Sequence, residues 1–349
     1  MDDGGSYQAF AEKIVKEGKI DFSIPGFHGG DFLVVIFYFF THSPFAVYFI
    51  DILAALFIAP LIYLVAKEIY RRRMWAIMVA YISVLMPFQC FNSLRGGHIT
   101  LHLFFVLLAL YLLFKNKKYS WLVLGISYTI YPFSIAVFPF YFYKRQIRQL
   151  FLSFIIPLVY LVAQWLQIGK IMMGQHADLA AGGLFSLKRS FPNIIYGIQN
   201  YFSVHNFSPY NRLYQMDMVH LSPLITVLAV IGIFYFSRYF FEKKLFYTLV
   251  SFAAIAFLLP ISFYRMDPFY FWLFNLALIF LALPVLEKFQ RLIPLIVFTF
   301  AYQFFYFFLS YGRLFNWPYI VFIIPLAVFA VGCYYTIKLE KDKKYNDSN

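Results

Sequence analysis

The chain has 349 residues, 62% of them hydrophobic and only 13% charged, with a formal net charge of +13 and a mean hydropathy of +0.71. A soluble domain carries roughly 25% charged residues, so the composition excludes that class and points to an all-α, polytopic helical membrane protein. Cys90 and Cys333 lie far apart in apolar surroundings and read as small buried residues rather than a disulfide framework.

The chain opens on MDDGGSYQAF, its densest polar stretch. Residues 6–17 predict an amphipathic helix, because Tyr7, Phe10, Ala11, Ile14 and Val15 fall on one face. Ser6 is placed to cap its start and Gly18 to follow its end, with Asp2 and Asp3 just before it. The expected seat of this helix is the outer membrane interface, apolar face down. The glycine-rich turn IPGFHGGD (24–31) leads into the short apolar segment FLVVIFYFF and a break at His42-Ser43-Pro44.

Apolar runs then alternate with six basic clusters: Lys67 with Arg71–Arg73, Lys115–Lys118, Lys144–Arg148, Arg238–Lys244, Lys288 with Arg291, and Lys338–Lys344. The positive-inside rule puts all six on the cytoplasmic side. The net charge is therefore topology signal and attraction to anionic membrane lipids, which argues against a nucleic-acid partner. Spans are expected at 44–66, 74–92, 98–114, 149–166, 219–236, 245–262, 268–286, 292–310 and 317–337. Residues 119–143 are too few for two crossings and break at Tyr131-Pro132, which predicts two short half-helices that dip in and return. The expected organisation is an outer segment over 1–43, a transmembrane domain over 44–337 with a second outer loop at 167–218, and a cytoplasmic tail over 338–349. With the N-terminus outside, a membrane helix ahead of Met1 is the expectation, since export of a polar N-terminal segment without one is unusual.

Several polar residues stand out against this background. Asp51 lies within the apolar run VYFIDILAAL, where an intramembrane acid is a functional suspect. Arg95 in SLRGGH and Arg265 in YRMDP occupy tight outer corners, and a planar guanidinium suits phosphate. His98 and His102 share the i, i+4 spacing of a metal pair, but no HExxH motif is present. Asp178 and Asp217 in the second outer loop are alternative bases, and Lys188, Arg189 and Arg212 weaker phosphate ligands. No organic cofactor is implied. Asp2 with Asp3 could hold a divalent cation through carboxylate oxygens.

The pattern D-x-x-x-Y-x-x-x-A at Asp3, Tyr7 and Ala11, the following Lys16-Glu17-Gly18 and the turn Pro25-Gly26-Phe27-His28-Gly29-Gly30 together resemble the first outer loop of GT-C glycosyltransferases. The similarity is to bacterial relatives of protein O-mannosyltransferase and aminoarabinose transferase. PFQCFNSLRGGHITLHLFFVLLALYLLFKNKK resembles the family's Arg-containing corner and span. WLVLGISYTIYPFSIAVFPFYFYKR resembles its short-helix hairpin, and YRMDPFYFWLFNLALIFLALPVL a later outer corner. A Gly-Gly pair replaces the usual Pro-Pro after His28, the corner's acid is replaced near His98, and the hairpin's lysine is absent around Thr129–Tyr131.

The resemblance implies a sugar donor on a polyprenyl phosphate, used at the outer face of the membrane on a glycan, lipid or protein acceptor. A carboxylate must then take or orient the acceptor proton, and cations or donors must meet the charge growing on the leaving phosphate. Asp3, with Asp2, is assigned the first role. Tyr7, His28, Arg95, His98, Arg265 and Asp178 are assigned to substrate binding. A lipid-linked saccharide polymerase or ligase would share the substrate class and the large outer loop. A transporter would favour internal repeats, and the sequence has no clear one.

Overall fold

A computed structural model describes residues 3–20, 29–84, 86, 98–169, 171, 187–202, 223–236, 242–262, 268–289, 292 and 295–296. Among these residues the fold is helical, with no strand. The helices are α1 (Asp3–Glu17), α2 (Gly29–Thr41), α3 (Ala46–Tyr70), α4 (Arg73–Val84), α5 (Ile99–Phe114) and α6 (Ser120–Ile130). After a 3₁₀ turn at Pro132–Val137 come α7 (Phe138–Tyr143), α8 (Ile147–Ser153), α9 (Ile155–Ile168), α10 (Leu187–Phe202), α11 (Pro223–Phe236) and α12 (Lys243–Ser262). A second 3₁₀ turn at Pro268–Phe271 leads into α13 (Trp272–Lys288). The expected spans at 292–310 and 317–337 lie almost wholly outside the described residues, as do Cys90 and Cys333.

Among the described residues three stretches are long and apolar enough to cross a membrane: Ala46–Tyr70, Ile147–Ile168 and Lys243–Ser262. α5 and α13 are shorter and apolar on every face, the pattern of a helix surrounded by others. α5 packs against α3 and α6, and α13 against α11 and α12. The stretch Ile147–Ile168 is also apolar, yet Leu158, Val159, Trp165 and Leu166 are exposed on it.

The break in 119–143 falls where the sequence places it. Tyr131 is extended, at φ −146° and ψ 137°, because the ring of a following proline disfavours the helical region. Pro132 then starts the 3₁₀ turn, where its missing N–H is no loss.

α1 differs from expectation at both its start and its buried face. The helix begins at Asp3, so Ser6 lies inside it rather than capping it; an acid in the first turn meets the positive end of the helix dipole. Gly18 follows the helix with φ +64°. The face bearing Phe10, Ala11 and Ile14 is buried against α2 and α3, and Ala11 joins Val34, Val47, Ile50, Leu101 and Ile130 in one apolar cluster. Protein, not a membrane surface, covers the apolar side of α1. Gln8 adds a tether, its Nε2 donating to the Ser43 carbonyl at 3.2 Å.

Four of the basic clusters meet at one end of the assembly. Lys115 bonds Glu68 at 2.6 Å, Gln146 donates to Asn116 at 3.1 Å and Tyr143 to Glu242 at 2.7 Å. Glu68, through its hydrogen bond first and its charge second, raises the pKa of the exposed Lys115 ammonium above its ordinary value. Near this end the buried Tyr70 hydroxyl donates to the Phe280 carbonyl, joining α3 to α13. Removing it in Tyr70→Phe is expected to cost about 1 kcal/mol, seen as a lower thermal unfolding midpoint in detergent.

Candidate functional site

A buried polar cluster lies at the opposite end of α3, where residues from four segments converge. Asp31 stands in the first turn of α2, a favourable place for a carboxylate, but it faces the interior and is 1% exposed. Asp51 stands in the second turn of α3 and is fully buried. From Asp51 to Lys67 is sixteen residues along α3, or roughly 24 Å, so the cluster and the basic end are well separated.

His98 links the two acids. It precedes α5 in the left-handed region at φ 57°, a conformation of order 1–3 kcal/mol above the usual ones for a residue with a side chain. Its backbone N–H donates to Asp51 Oδ2 at 3.2 Å, so Asp51 caps the start of α5 from a neighbouring helix. Its ring Nε2 meets Asp31 Oδ1 at 2.8 Å. A carboxylate on one ring nitrogen fixes the imidazole's orientation and favours a proton on that nitrogen. The Tyr7 ring stacks on the imidazole, 4.4 Å between centroids and 29° between planes. Gly30 makes room for this ring, because a Cβ there would lie 2.7 Å from His98 Cγ and Cδ2.

One buried carboxylate thus meets the His98 imidazole and a second meets the His98 backbone N–H, all within an apolar core. Buried charge is tolerated only where it is paired and hydrogen-bonded. Asp31 meets this condition through His98. Asp51 Oδ2 has the His98 N–H, whereas Asp51 Oδ1 makes no hydrogen bond among the described residues. In Asp51→Leu the His98 N–H loses this acceptor, with an expected cost of about 1–3 kcal/mol. Asp51→Asn retains an acceptor oxygen and is expected to hold most of the wild-type stability in the same thermal unfolding measurement.

His98 and His102 do not act as a pair. The left-handed backbone at His98 takes its ring off the α5 face on which i, i+4 spacing would set it. His102 instead meets Ser134 at 2.6 Å and packs edge-on against Trp272 and Tyr131, at 5.1 and 5.4 Å. His102 and Ser134 are fully buried and tie α5 to the first 3₁₀ turn. Among the described residues no group of three His, Cys, Asp or Glu side chains is placed to hold a metal ion.

Of the residues assigned to the site from sequence, Tyr7 and His98 come together, and Asp3 opens α1 one turn before Tyr7. Asp2, His28, Arg95, Asp178 and Arg265 lie outside the described residues, as do Arg212 and Asp217. Asp31 is the residue that sequence reasoning passed over. Its signal was an acid three positions into the otherwise apolar helix GGDFLVVIFYFF. No family model, curated protein or solved structure matches the chain at a significant level.

Proposed function

We propose that the protein is a membrane glycosyltransferase that moves a sugar from a polyprenyl-phosphate donor to an acceptor at the outer face of the membrane. The observation that carries this reading is the Tyr7–His98 stack. It joins the acidic first segment to the corner before α5, the two stretches on which the resemblance to GT-C enzymes rests most heavily. The separation of this cluster from the basic end supports it further. If basic corners face the cytoplasm, the helix carrying Asp3 is presented on the other side, where lipid-linked sugars are used. The apolar surface of Ile147–Ile168 suits lipid contact.

In this reading Asp3 takes the proton from the acceptor hydroxyl as its oxygen bonds to the sugar's anomeric carbon and the bond from that carbon to the phosphate oxygen breaks. Electrons leave with the lipid phosphate, and Arg95 and Arg265 offset its charge. Hydrogen exchange on the reconstituted protein tests donor binding. Vesicles containing polyprenyl-phosphate sugars are expected to slow exchange in 3–17 and 98–114 relative to vesicles containing the free polyprenol. Equal exchange across a panel of sugars would contradict the reading.

A further inference from the structure

We propose that Asp31, His98 and Asp51 form a latch that holds α1 in place and so determines where its acidic first turn is presented. The consequence for catalysis rests on the glycosyltransferase reading; the latch itself is a property of the fold.

α1 has 15 residues and begins with two glycines in its first turn. Helices of roughly this length are marginal in isolation, so its persistence depends on docking. The side facing away from the protein is exposed and charged at Lys13, Lys16 and Glu17. The docked side ends, nearest Asp3, on Tyr7, and the surface under Tyr7 is the His98 ring. That ring is fixed from two directions, by Asp31 through the side chain and by Asp51 through the backbone. Both partners belong to other helices. His98 is thus held in its uncommon backbone conformation by contacts that α1 does not itself make, and α1 rests on the result. Gly30 closes the arrangement, since any side chain there would displace the ring.

These are positioning residues, and their effect is expected first in α1. Hydrogen exchange followed by mass spectrometry on the full chain in lipid nanodiscs reads it without any substrate. Asp31→Ala is expected to raise exchange in 3–17 by about ten-fold or more, the change that follows loss of a hydrogen bond to a charged group. The part of α13 around Phe280, which Tyr70 ties down near the basic end, should stay unchanged. Asp31→Asn keeps an acceptor for Nε2 and should give a smaller rise. Tyr7→Ala should match Asp31→Ala, whereas Tyr7→Phe, which keeps the stack, should match wild type.

Unchanged exchange in 3–17 for both Asp31→Ala and Tyr7→Ala would overturn the latch. So would a rise no larger than that of the exposed control Phe40→Ala. If Asp31→Ala does not fold, as faster exchange in α13 would reveal, Asp31→Asn and Tyr7→Ala decide by the same criteria. A wild-type protein that transfers no sugar would count against the proposed activity and leave the exchange result standing.

Discussion

Changing Asp3 to asparagine is expected to lower sugar transfer by about 10²–10⁴-fold, the usual contribution of a positioned general base. Asparagine matches aspartate in size but cannot accept the acceptor's proton at the working pH. Asp3 lies at the very start of α1, one turn before Tyr7, and the change leaves the Tyr7–His98 stack in place. Exchange in 3–17 should therefore stay within about five-fold of wild type, since a carboxylate in the first turn of a helix contributes about 0.3–1 kcal/mol. Lost turnover with α1 intact would identify a chemical role. Turnover that survives the substitution would remove Asp3 from that role. Latch variants are expected to behave in the opposite order, with α1 loosening first and turnover falling because of it.

The largest structural effect is expected at Gly232→Ala. Gly232 is buried on α11 and faces α13 so closely that a methyl group there would overlap the Leu281 carbonyl oxygen. Two terms oppose each other. Alanine is favoured over glycine in a helix interior by about 1 kcal/mol, whereas overpacking a filled interface costs typically 1–3 kcal/mol. Here the obstruction is backbone rather than the far end of a flexible side chain, so it yields only if α11 and α13 separate. Val285, which touches the same position, would lose its contact in that movement. The clash is expected to win, lowering the thermal unfolding midpoint measured in detergent. An unchanged or raised midpoint would contradict this helix contact.

Local features of the fold were legible in the sequence. The break at Tyr131-Pro132 follows from the steric demand of one proline. Gly18 and the apolar spacing of 7–15 locate the end and the inward face of α1. Asp51 stands out because an acid in an apolar run needs a partner, and it has one in the His98 N–H.

What periodicity does not carry is the identity of the covering surface. Phe10, Ala11 and Ile14 describe an apolar stripe equally well whether lipid or α2 and α3 lie beneath it. The relation of His98 to His102 is hidden from spacing for a related reason. Spacing of four implies a shared face only if both residues are helical, and His98, at φ 57°, is not. Asp31 looked like the end of a glycine turn. Its pairing with His98 spans 67 positions of sequence, a separation that no local pattern encodes.

The central claim is sugar transfer at the end of the protein that carries α1 and the Asp31–His98–Asp51 cluster. It is tested most directly in proteoliposomes holding a panel of polyprenyl-phosphate sugars, radiolabelled in the sugar, with protein, lipid and glycan acceptors supplied on either side. Label is expected to leave the donor lipid and appear covalently on an acceptor, with free polyprenyl phosphate formed in equal amount. Transfer is expected only with acceptor on the side opposite the basic corners. Label that crosses the bilayer while still attached to its lipid, with no acceptor modified, would contradict it.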